Sequence, residues 1–214
     1  RPGVLVHEDD SAKDNTLIMH IKAYLYQNGE YDPADEQSFA PALCNRIDRN
    51  TAGIIIAAKN AESLRILNEK LKQRELHKLY LCVVIGTPKQ KEGILKDFLQ
   101  KNEKQNKVYV SSQKTNDSKE IATKYKVLSS KNGLSLVEIE LLTGRTHQIR
   151  VHFSHRGTPV AGDTVYGNPK KTYGLEGQCL HAAVLGFIHP ITKEYLEFSS
   201  DLPDLTSLLK SSFH

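Results

Sequence analysis

The chain has 214 residues, of which 39% are hydrophobic and 25% charged, and its formal net charge is +4. These proportions belong to a globular protein with a sizeable core, one large domain or a closely joined pair, and no apolar run approaches the ~20 residues a membrane helix needs. The mild positive balance permits an RNA partner without requiring one.

Cys44, Cys82 and Cys179 are odd in number and widely separated. That pattern predicts reduced cytosolic thiols, with neither a disulfide framework nor a zinc site. Because the sequence opens on Arg1 and no apolar leader follows, it reads as a piece of a longer protein.

Residues 1–7 predict a turn and a short strand. Asp14 or Asn15 is placed to cap a helix running to about Gln27, with Leu17, Ile21 and Leu25 one turn apart and Gly29 to end it. Residues 30–41 contain Asp32-Pro33 and Pro41 among polar neighbours and read as an irregular loop.

Residues 45–59 follow, Asn-Arg-Ile-Asp-Arg-Asn-Thr-Ala-Gly-Ile-Ile-Ile-Ala-Ala-Lys. Polar residues 45–51, then Gly53 and the apolar run 54–58, predict a loop feeding a buried strand. A lone loop aspartate is most often a turn or capping residue. Asp48, however, stands between Arg46 and Arg49, whose charges favour its ionised form, and an ionised carboxylate can act as a nucleophile.

Asn60 is placed to cap a second helix with an apolar stripe of Leu64, Leu67 and Leu71. Its charges Arg65, Lys70, Lys72 and Arg74 suit either a solvated face or RNA. Residues 78–86 are β-rich and apolar, a buried strand with Tyr80 near its start; taken alone, such a tyrosine is usually a core residue. Residues 89–130 are lysine-rich, with strands expected at 94–99, 107–110 and 122–128 in an antiparallel arrangement. Residues 134–142 alternate apolar and polar, a strand with one wet face.

Residues 143–153 read Thr-Gly-Arg-Thr-His-Gln-Ile-Arg-Val-His-Phe. Gly144 suits a turn, Thr146 a helix cap and Gly157 the helix end. His147, His152 and His155 suggest a metal, but no acidic or cysteine ligand clusters with them in the sequence, which favours packing and phosphate contact. Residues 160–167 form a further loop, Lys170-Lys171 suit a phosphate contact or a surface loop, and His189-Pro190 with residues 196–198 predict a closing hairpin.

The stretch around Asp48 resembles the His-Arg-Leu-Asp-Arg-Asp-Thr-Ser-Gly signature of the RluA family of pseudouridine synthases. It departs at Asn45, Ile47, Asn50 and Ala52. Residues 143–152 resemble that family's Thr-Gly-Arg-x-His-Gln-Ile-Arg-x-His motif, residues 162–167 its Gly-Asp-x-x-Tyr-Gly loop, and residues 180–182 its Leu-His-Ala strand start. The resemblance spans the chain, so residues 1–214 are expected to form the catalytic domain, without the S4-like region that many members carry ahead of it.

The resemblance implies an α+β fold with an extended, mostly antiparallel sheet and flanking helices. It implies isomerisation of uridine to pseudouridine in structured RNA, 23S ribosomal RNA first and tRNA as the alternative, by a cytoplasmic monomer that needs no cofactor or metal. Asp48, Tyr80 and Arg145 are the expected catalytic residues. Arg46 and Ile149 are expected to contact substrate, Arg46 by entering the stack vacated by an extruded uridine. A noncatalytic RNA-binding or ribosome-assembly factor of the same fold is the rival, and the intact Asp48, Tyr80 and Arg145 argue against it.

Overall fold

The computed structural model describes residues 3–6, 15–102, 107–168 and 173–200. It has the α+β architecture expected, with a mostly antiparallel sheet among the described residues. The chain divides into two units, residues 1–77 with 184–199, and residues 78–183 with 200–214.

In the first unit, α1 (Leu17–Gln27) ends as expected, with Gly29 at φ 69° and the Glu30 N–H returning to the Leu25 carbonyl. Its N-cap is Thr16, not the expected Asn15, and Asp14 lies outside the described residues. β1 (Ala42–Leu43) pairs with β3 (Ala57–Ala58), and β2 (Ala52–Gly53) lies between them in sequence. The continuous strand expected over 54–58 is therefore a correction. The Ile56 N–H is taken by the Asn45 side chain and its carbonyl by the Cys44 N–H, so the apolar run satisfies its backbone locally and only its last two residues enter a ladder.

α2 (Ala61–Gln73) begins as predicted, its Asn60 Oδ1 accepting from the Ser63 N–H at 2.8 Å. Leu67 packs with Ile56, Leu76, Leu185 and Phe187 in the first unit's core. The expected closing hairpin is present, with β10 (Tyr195–Ser199) antiparallel to residues 184–188 of β9 (Leu180–Ile188).

The second unit holds β4 (His77–Ile85), β5 (Glu92–Asn102), β6 (Lys107–Ser111), β7 (Lys119–Lys131) and β8 (Leu134–Leu141). Their order is β4-β8-β7-β5-β6. The predicted strands in 89–130 are all there and longer, because cross-strand pairing carries them through polar residues that lack strand propensity of their own. α3 (Gln148–His155) lies on one face, where its Ile149 and Phe153 join Cys82, Val84, Val137 and Ile139. Its Val151 joins Leu99, Val108 and Ile121. Cys82 is fully buried, and burial pushes its thiol well up from the ordinary value.

Candidate functional site

The Asp48 segment belongs to the first unit and is framed by main chain. The Thr51 N–H donates to the Asp48 carbonyl at 2.9 Å, closing a turn, and the Gly3 N–H donates to the Arg49 carbonyl at 2.9 Å. Asn45, where the RluA signature has histidine, accepts from the Ile56 N–H at 2.8 Å and pins the loop to the segment behind it. The Asp48 side chain is half-buried, while Arg46 and Arg49 are exposed. Exposed guanidinium groups flanking a half-buried carboxylate are available to nucleic acid.

Tyr80, Arg145 and Ile149 belong to the second unit. Tyr80 pairs with Ile139 across β4 and β8 and packs, half-buried, on the cluster that contains Ile149. Ile149 itself is only 4% exposed, so it shapes this face from within the core. Arg145 is exposed at the turn leading into α3.

That turn is locked by a side chain that sequence reasoning missed. Gln148 is 2% exposed; its Oε1 accepts from the Arg145 N–H at 3.1 Å and the Thr143 hydroxyl at 2.8 Å. Its Nε2 donates to the Ala122 carbonyl at 3.1 Å and to Thr123 Oγ1 at 3.0 Å. The main-chain partners fix the orientation of the amide, and all four of its hydrogen-bonding directions are used. Arg145 is thereby held through both of its backbone groups, since its carbonyl also accepts from the Gln148 N–H.

The expectation that Thr146 caps α3 is corrected. The N-cap is His147, in the left-handed region at φ 56°, and Thr146 is exposed. His147 Nδ1 meets the Tyr166 hydroxyl at 2.8 Å, which fixes the ring where a capping side chain would otherwise turn back.

Two charge pairs, each with a buried aspartate, anchor the helix beneath. Arg150 makes a two-point pair with Asp163, Nε to Oδ2 at 2.7 Å and a terminal nitrogen to Oδ1 at 3.0 Å, and Oδ1 also accepts from the Val165 and Tyr166 N–H groups. Burial pushes the Asp163 carboxyl up, but the hydrogen bonds and charge of Arg150 with the two amides outweigh it and hold the group below the usual range. Arg156 holds Asp97 at 2.5 Å.

His152, fully buried, meets the Thr123 hydroxyl through Nδ1 at 2.8 Å and turns Nε2 toward Asp97 at 3.4 Å. Burial first, then the charges of Arg156 and His155, lower its pKa to about 4, so it is neutral at pH 7. His152 is thus a core residue, not one of a ligand set, and no group of three or more metal-ligating side chains occurs among the described residues. Lys170 and Lys171 lie outside the described residues.

The Arg150 to Asp163 pair is invisible in sequence because its members stand 13 residues apart with a loop between them. The signal that points to it is the run from Gln148 to Phe153, every residue of which is buried. A helix with three polar side chains buried all round must supply them with partners.

Comparison with known proteins gives these features a family. The model of the RNA pseudouridylate synthase family matches residues 1–155, a span that contains Arg46, Asp48, Tyr80, Arg145 and Ile149. An uncharacterized RNA pseudouridine synthase of Bacillus subtilis, YlyB, is 40% identical over 210 residues, covering 98% of this chain and 67% of the relative. Ribosomal large subunit pseudouridine synthase D of Zymomonas mobilis is 31% identical, covering 97% of this chain and 66% of that one. The chain therefore spans about two thirds of the length of these relatives.

Among solved structures, human RNA pseudouridylate synthase domain containing 1 superposes with a TM-score of 0.68 at 28% identity, covering 78% of this chain and 71% of its own. Human RNA pseudouridylate synthase domain containing 4 shares the fold, with a TM-score of 0.73 at 22% identity over 97% of this chain and 85% of its own. This chain belongs to the RNA pseudouridylate synthase family, a family of isomerases.

Proposed function

We propose that the chain converts specific uridines of structured RNA to pseudouridine, with 23S ribosomal RNA the first candidate substrate and tRNA the second. The observation that carries this is the locked Arg145 turn: a guanidinium whose backbone is fixed on both sides, leading into the helix that packs on the same face as Tyr80. Such rigidity suits a residue that must orient a reacting carboxylate. The ribosomal preference draws on the name of the Zymomonas relative.

The reaction breaks the bond from N1 to C1′, turns the freed base, joins C5 to C1′, loses the C5 proton to solvent and takes one up at N1. Nothing is added or consumed overall. Asp48 serves either as the nucleophile at C1′ or as the base that removes the 2′ hydrogen to give a glycal. Arg145 is the countercharge for that carboxylate. Tyr80 packs on the uracil and assists loss of the C5 proton, and Ile149 lines the pocket from below. Extrusion of the uridine costs a few kcal/mol, and Arg46 compensates by filling the vacated stack.

The test is tritium release from RNA labelled at C5. Asp48→Asn should abolish release while leaving RNA binding nearly intact, because shape is kept and no charge is added to repel phosphate. A variant rate within about tenfold of wild type, a deficit of only about 1.4 kcal/mol, would overturn the role of Asp48, and no release by the wild type would favour a noncatalytic RNA-binding protein.

A further inference from the structure

The lysine-rich segment has a sidedness that the catalytic reading leaves unused. Residues 89–131 carry eleven lysines against five acidic residues, an excess larger than the +4 of the whole chain. The excess is not spread evenly over the sheet. On the face away from α3, Lys124 meets Glu140 at 2.9 Å and Lys126 lies opposite Glu92 on one side and Glu138 on the other, so positive and negative rows alternate and cancel.

The face that carries α3 differs. Lys101 lies opposite Val108 and Lys119 opposite Leu99, and both of those apolar partners are buried against Val151 of α3. Residues directly opposite in an antiparallel ladder share a face, so both lysines project on the α3 side, just past the edge of the apolar cluster. Both are exposed. Asp97 and Asp163, acids on this side, are already committed, the first to Arg156 and the second to Arg150.

These lysines are tied in position to the turn that holds Arg145. The Tyr166 hydroxyl accepts from the Val108 N–H at 3.2 Å and meets His147 at 2.8 Å, so Lys101 lies across the ladder from the residue that carries this link. Ala122, bonded to Thr143 and Gln148, is three residues along β7 from Lys119, about 10 Å at the usual rise per residue.

We propose that Lys101 and Lys119 form a phosphate-binding track that holds the RNA strand flanking the target nucleotide. The proposal rests on the reading of the chain as an RNA isomerase, and it adds the part of the substrate that the second unit grips. RNA backbone phosphates are what two exposed ammonium groups at the strand ends of a firm sheet, with no acidic partner among the described residues, recognise without regard to sequence.

The test is binding of a short single-stranded RNA oligonucleotide across a potassium chloride series. The double variant Lys101→Gln/Lys119→Gln should lower the slope of log affinity against log salt by about 1.4, roughly 0.7 for each phosphate that a lysine neutralises on a single strand. Lys124→Gln, on the opposite face and already paired, should keep the wild-type slope. An unchanged slope in the double variant, or an equal fall in Lys124→Gln, would overturn the track; the first is also the result expected if this face served an acidic protein.

Tritium release on the wild-type protein separates the two readings. Salt-sensitive binding through the lysines without release would leave the track standing and overturn the isomerase reading. Release with a slope indifferent to both lysines would do the reverse.

Discussion

The Asp48 segment and the Arg145 turn are built by opposite means. The first is framed by main-chain bonds: Thr51 to Asp48, Gly3 to Arg49, Cys44 to Ile56, and the short ladder between β1 and β3, with the Asn45 side chain as an added brace. The second is framed by side chains, with Gln148, Thr143 and Thr123 under the turn and Arg150, Asp163 and His152 under the helix it enters. Main-chain bonds survive most substitutions, whereas a network of buried side chains fails when one member is removed. Residues 143–152 thus carry much of the scaffold of their own turn.

The contrast places the most damaging single change beneath the Arg145 turn. Asp163→Ala leaves Arg150 charged and buried, and should cost about 3–5 kcal/mol of folding stability. Urea unfolding measures it, and a cost below about 1 kcal/mol would show that Arg150 finds another partner.

Next in size is a pH effect from the same region. The unfolded chain takes a proton at His152 near its ordinary value of 6.5, while the folded chain resists until about 4. Stability is therefore full above 6.5 and falls as the pH drops toward 4, by about 3 kcal/mol over the window. Asp163, whose folded carboxyl is held below its ordinary value, adds a further decline at still lower pH. Unfolding midpoints that stay flat from about pH 7 to 4.5 would contradict the burial of a neutral His152.

A smaller effect separates positioning from folding. Gln148→Met keeps the volume but frees the Arg145 N–H and the Thr143 hydroxyl, and should slow isomerisation by about tenfold, the worth of about one orienting bond. Gln148→Glu sharpens this, because only the protonated acid can still donate to Ala122 or Thr123; its rate should recover as the pH falls, a profile that a purely structural residue would not produce. The smallest effect is expected on the other side of the comparison. Asn45→Ala removes one bond to Ile56 and should cost about 1 kcal/mol, because the remaining main-chain bonds keep the loop. A cost at Asn45 exceeding that at Asp163 would invert the contrast.

What can be read from the sequence divides along the same line. Local chemistry is legible: the Asn60 cap, the left-handed Gly29 and Gly157 after their helices, and the alternation of residues 134–142. Asp48, Tyr80 and Arg145 stand out because charge or motif marks them individually. The splitting of residues 54–58 is not legible, since it depends on where the Asn45 side chain turns, and the false cap at Thr146 follows from trusting composition where His147 adopts a left-handed backbone. Gln148, Arg150 and His152 escape because their meaning lies in partners from 13 to 29 residues away.

Cys82 gives this sheet an internal clock. Its thiol is shut inside the core between strands, with its pKa well raised, and only the thiolate reacts with alkylating reagents. Alkylation at this position is confined to moments when the ladder parts, while half-buried Cys44 reports the exposure of the loop side alone. The Cys82 labelling rate, read by mass spectrometry on the native protein against that of Cys44, counts how often the second unit opens.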